Sequence, residues 1–82
     1  MTYLNIGGGV LLRPADIVAV FDMDNATWSH VTRAALAAAE KRGEVINAAE
    51  DIPRTFIVCE SDGERKIYLS QLSSAAIERR AR

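Results

Sequence analysis

The chain has 82 residues, a net charge of −1 and 49% hydrophobic residues, the usage of one small globular domain rather than a disordered tail or a polycation. A single cysteine rules out an internal disulfide, and no apolar run reaches the length of a membrane helix. The charge is uneven. Through Glu64 there are five basic and ten acidic residues, whereas from Arg65 onward five basic residues face Glu78 alone. That asymmetry gives the chain one basic edge, suited to an anionic partner or simply to the dipole of a last helical turn.

In chain order, "TYLNI" (2–6) and "GVLLR" (9–13) read as short strands separated by glycines. Gly7 to Gly9 supply the positive φ angles of a tight turn, so a hairpin is expected. The glycine run does not fit a phosphate loop, because no lysine follows it and Leu12 stands where a third small residue is needed. Pro14 ends the pairing, and "DIVAVF" (16–21) reads as a strand buried on both faces. "DMDNAT" closes it. The spacing of Trp28, Val31, Ala35, Ala38 and Ala39, with Leu36 beside them, predicts a helix over 27–42. Thr27 or Asn25 would cap its start, and Gly43 follows its end.

"EVINAA" (44–49) predicts a short strand and "EDIP" a loop. "RTFIVCE" (54–60) and "KIYLSQL" (66–72) form a hairpin with Asp62-Gly63 at the turn. A last helix starts at Ser73 as N-cap, with Leu72 and Ile77 at the spacing of a hydrophobic staple. The expectation is an α+β domain of order β-β-β-α-β-β-β-α with a mostly antiparallel sheet. A domain of this size gains stability by packing on a second copy.

Catalytic chemistry has little support. The carboxylates sit at turns and strand ends, where they serve structure. Asp22 and Asp24 lack the loop glycine and closing Glu of a calcium site. His30 is the lone histidine, expected on a solvated helix face, and Cys59 lies in an apolar run and reads as a core residue. No enzyme, cofactor, metal or small-molecule substrate is therefore expected. Without a secretory signal, the expected location is cytoplasmic. Basic residues at element ends remain: Arg54 foremost, then Arg13, Lys41, Arg42, Arg79 and Arg80, placed to reach phosphates or guanine edges.

Three segments, "DIVAVFD" (16–22), "IPRTFIV" (52–58) and "IYLSQLSSAAIERRAR" (67–82), resemble the bacterial family of extracellular matrix (biofilm) regulators RemA and RemB, with RemB the nearer. "NIGGG" (5–9) and "AEKRGEVINA" (39–48) also resemble RemA. The resemblance implies a transcriptional regulator that binds promoter DNA, folds like LytTR-type domains and assembles as a ring-like homo-oligomer. It implies DNA contacts by an arginine before the third strand and by an arginine cluster in the loop before the fifth. Here the first position falls near Asp16, and two loop positions fall at Asp51 and Ile52, while Arg54 matches the last. Lys41 and Arg42 match the basic helix end, and Arg79 and Arg80 match the basic tail. AT-rich promoter duplex is the partner so implied. The alternative is an oligomeric interaction module that does not touch DNA.

Overall fold

The computed structural model describes residues 3–23 and 30–81. The elements are β1 (Leu4–Asn5), β2 (Leu11–Leu12), a 3-10 turn (Pro14–Asp16), β3 (Ile17–Asp22), α1 (His30–Lys41), β4 (Val45–Asn47), β5 (Thr55–Ser61), β6 (Glu64–Ser70) and α2 (Ser74–Ala81). This is the expected α+β order. The caps expected at Asn25 and Thr27, together with Asp24 and Trp28, lie outside the described residues.

The opening hairpin forms, with Leu4 opposite Leu12 and Asn5 opposite Leu11. Its strands are shorter than expected because Gly7, Gly8 and Gly9 all hold positive φ. They make a wide turn, closed by Ile6 N–H to the Val10 carbonyl at 3.1 Å and Val10 N–H to the Gly7 carbonyl at 3.0 Å. The second hairpin turns at Asp62 and Gly63, both at positive φ, as its sequence dictates.

Four strands form the main sheet in the order β3-β5-β6-β4. β3, β5 and β6 pair antiparallel, whereas β4 pairs parallel with β6. The sheet is thus mixed. β4 is reached by the α1 crossover from β3, so it runs in the direction of β3 and lands on the far edge.

Two expectations for the third strand are corrected. Asp16 belongs to the 3-10 turn, because Pro14 starts a tight turn closed by Asp16 N–H to the Arg13 carbonyl at 2.9 Å. Nor is β3 buried on both faces. It is an edge strand with an irregularity between Ile17 and Ala19, leaving Val18 60% and Phe21 43% exposed. Its apolar run reflects partial cover, with Phe21 stacked on Phe56 at 4.7 Å between ring centroids.

Each sheet face carries a core. On one, Phe56 and Ile67 bury against Ala39 of α1, with Leu36 and Met23 around them. Ala38, expected on the buried stripe, faces solvent. On the other, Ile57 and Cys59 pack under Leu4, Ile6 and Leu12 of the hairpin and Ile77 of α2. The fold is three layers: α1, the sheet, then the hairpin beside α2. Buried hydroxyls tie the last two together. Ser70 Oγ donates to the Ile6 carbonyl at 2.7 Å and accepts from Leu72 N–H at 3.1 Å, while Thr55 Oγ1 donates to the Leu72 carbonyl.

The helix ends follow local chemistry. Glu44 N–H bonds the Ala39 carbonyl and Gly43 N–H the Glu40 carbonyl, with Gly43 left-handed, which is the Schellman pattern. Ser73 Oγ accepts from Ala76 N–H at 3.1 Å, capping α2.

Cys59 is the buried thiol its setting implied, 6% exposed and pushed up to about 11 by desolvation and then by the charge of Asp16. Iodoacetamide at pH 8 is expected to label the folded chain at least about 100-fold more slowly than the urea-unfolded chain, from thiolate scarcity alone. Because the folded thiol holds its proton more tightly, stability falls as pH rises from the ordinary thiol range near 9 towards 11. Equal labelling rates in the two states would place Cys59 at the surface.

Candidate nucleic-acid interface

The six basic positions singled out in the sequence do not converge on one patch. They fall on three parts of the molecule.

Arg54 lies just before β5. Its carbonyl accepts Met23 N–H at 2.7 Å and its N–H donates to the Ser70 carbonyl at 2.8 Å, so the backbone holds it at the end of the sheet where β3 and β6 finish. The adjoining loop carries Glu50, Asp51 and Ile52, the last 79% exposed. A turn and a tether organise that loop: Ala49 N–H bonds Asn47 Oδ1, and Glu50 N–H bonds Gln71 Oε1 beyond the end of β6.

Lys41 and Arg42 lie at the other end of the sheet, on the α1 layer. β5 has seven residues, so the two ends stand about 20 Å apart. Ile67 N–H donates to the Glu44 carbonyl at 2.8 Å, which seats the end of α1 beside β6. Arg42 is committed within the chain, with Nε and a terminal nitrogen on the two Glu44 carboxylate oxygens at 3.0 and 3.1 Å. That hydrogen bonding holds the Glu44 carboxyl below its ordinary range and raises the Arg42 guanidinium.

Arg13, Arg79 and Arg80 share the third layer. Arg13 grips Asp16 through two bonds of 2.9 and 3.0 Å and reaches Ser61 Oγ at 3.3 Å. The hydrogen bonds to Asp16, then its charge, raise the Arg13 guanidinium. Asp16 thus offsets the charge of Arg13. Arg80 donates to the Asn5 carbonyl at 2.9 Å, fastening α2 to the hairpin. Arg79 projects into solvent from the same helix.

Sequence reasoning missed Tyr3. The hairpin register places Tyr3 one step beyond the Leu4–Leu12 pair, opposite Arg13, and alternation turns both outward with Asn5 and Leu11. Tyr3 is 54% and Leu11 58% exposed. The hairpin signal in residues 2–13 contained this pairing, but it did not say which face the sheet would cover.

An open cleft of about 430 Å³ lies between Arg13, Asp16, Ser61, Lys66 and Tyr68. Among the described residues, no group of three His, Cys, Asp or Glu side chains is placed to hold a metal, and no helix is long and apolar enough to cross a membrane.

The family model for RemA-like proteins, described as extracellular matrix regulatory protein A-like, matches residues 3–81. The chain belongs to the RemA-like family. The match spans nearly the whole chain, so every layer of this RemA-like fold lies within it: the hairpin with Tyr3 and Arg13, the loop with Arg54, and α2 with Arg79 and Arg80. No curated protein matches the chain.

Proposed function

We propose that this RemA-like chain is a non-enzymatic, cytoplasmic regulator of extracellular matrix genes that binds promoter DNA as a homo-oligomer, with a LytTR-like protomer and a ring-like assembly. Membership of the RemA-like family is the observation that carries this reading. The division of the basic residues supports the oligomeric part. One protomer of net charge −1 offers its cations at places about 20 Å apart, with Arg13 and Arg42 paired to carboxylates. Phosphate contacts become strong only when repeated along the duplex, and an assembly repeats each arginine once per protomer.

The test is fluorescence anisotropy of a labelled AT-rich, promoter-length duplex at two salt concentrations. Binding by the assembled protein is expected to weaken steeply with salt. Arg54→Ala is expected to weaken it further and to flatten the salt dependence by about 0.9 in logarithmic slope for each phosphate no longer neutralised. Unchanged affinity and slope in that variant would mean that Arg54 does not touch the duplex.

The second reading is an oligomeric interaction module that leaves DNA alone. The loop beside Arg54 favours it: Glu50 and Asp51 set negative charge there, and Ile52 offers an exposed apolar side chain, the surface of a protein contact rather than of a phosphate contact. A well-assembled protein that binds no duplex at low salt selects this reading.

A further inference from the structure

We infer that the outward face of the opening hairpin and α2 is the principal nucleic-acid contact of each protomer, with Tyr3 and Arg79 added to Arg13 and Arg80. This rests on the DNA-binding reading above and assigns it a surface.

Three observations carry it. The first is convergence. Arg80 is tied to the Asn5 carbonyl although 75 residues separate them, so the basic end of the chain and the hairpin form one surface. Ile77 of α2 points into the core at 1% exposure, and Arg79, two positions on, is turned some 200° away from it into solvent.

The second is charge. Lys41 and Arg42 share their helix end with Glu40 and Glu44, and Arg54 follows Glu50 and Asp51, whereas Arg79 and Arg80 share theirs with Glu78 alone and no ion pair engages either among the described residues. Arg80 spends one nitrogen on a carbonyl, which fixes its position and leaves its charge uncompensated. A helix-end pair of uncompensated guanidiniums matches a phosphate backbone.

The third is the aromatic. Tyr3 stands half-exposed at the start of the hairpin, across from Arg13, with Leu11 exposed on the partner strand β2. A phenol at such a position donates to a phosphate oxygen while its ring covers the sugar.

The experiment uses the full chain and the same labelled AT-rich duplex, with assembly followed by sedimentation velocity. Arg79→Ala is expected to weaken binding at least about five- to tenfold and to flatten the salt slope by about 0.9 for each phosphate no longer neutralised. Tyr3→Phe, which removes only the hydroxyl, is expected to weaken it about threefold. Arg33→Ala, exposed on α1 in the opposite layer, is expected to stay within about twofold of wild type, as for a surface change away from the duplex. Assembly is expected to be unchanged in all three. Loss of affinity in Arg33→Ala with Arg79→Ala unaffected would overturn the assignment of the face while leaving the DNA reading intact. Dissociation of the assembly by Arg79→Ala would make the face a protein interface, also overturning it. No binding by the wild-type assembly at low salt would overturn the DNA reading and this inference together.

Discussion

Ile57→Ala is expected to lower the unfolding free energy by about 3 to 4 kcal/mol, measured as a shift of the urea midpoint at fixed protomer concentration. Ile57 is 0% exposed near the middle of β5, an inner strand of the sheet, opposite Val20 on β3 and Tyr68 on β6. Its side chain lies under Leu4, Ile6 and Leu12 of the hairpin and Ile77 of α2. Truncation removes the packing that joins these elements to the sheet. The cavity cannot collapse easily, because the hairpin is also pinned through Ser70 and Ile6. A loss of that size takes a large share of the total stability of a domain this small. The same truncation at Val18, 60% exposed on the sheet edge, is expected to cost within about 0.5 kcal/mol. Equal midpoints for Ile57→Ala and Val18→Ala would show that the hairpin and α2 do not form the second core.

Gly8→Ala is expected to cost about 2 to 3 kcal/mol, whereas Gly9→Ala costs only about 1 kcal/mol. All three turn glycines hold positive φ, so any L side chain there pays the left-handed penalty. Space separates the two positions. A Cβ on Gly8 would lie 2.7 Å from the backbone oxygen of Ala48 and 3.3 Å from its Cα, whereas a Cβ on Gly9 meets nothing within 4 Å. Ala48 is itself 4% exposed and held by its N–H on the Leu69 carbonyl at 2.9 Å, so it cannot step aside without breaking the β4–β6 edge. Thermal or urea unfolding of the two variants checks the difference. If the hairpin tip were free of the β4–β5 loop, the two costs would be equal.

These cases mark where local chemistry ended and packing began. Asp62-Gly63, Gly43 and Ser73 were legible in the sequence, because a left-handed turn, a helix stop and an N-cap are each decided within a few residues. The opening glycines announced a turn for the same reason, but not that Gly8 would press on Ala48, forty residues later. The run 16–21 misled because an apolar strand of that length reads alike in the middle of a sheet and at its edge. Only the pairing order, with β3 joined to β5 alone, leaves Val18 and Phe21 open.

The candidate site divides in the same way. The residue types, arginines at element ends with acids close by in sequence, were determined by the sequence alone. Which of them meet was decided by tertiary structure. Arg13 and Ser61 are 48 residues apart, and Arg80 and Asn5 are 75 apart; both contacts arise because the hairpin and α2 cover one sheet face together. Arg54 and Lys41 are nearer in sequence yet lie on different parts of the sheet, because the parallel β4 and the loop after it carry the chain away from the end of α1 before β5 begins. Side-chain chemistry is a property of the residue and is written in order along the chain. Proximity between distant residues is a property of strand pairing and layer packing, and so it exists only once the chain has folded.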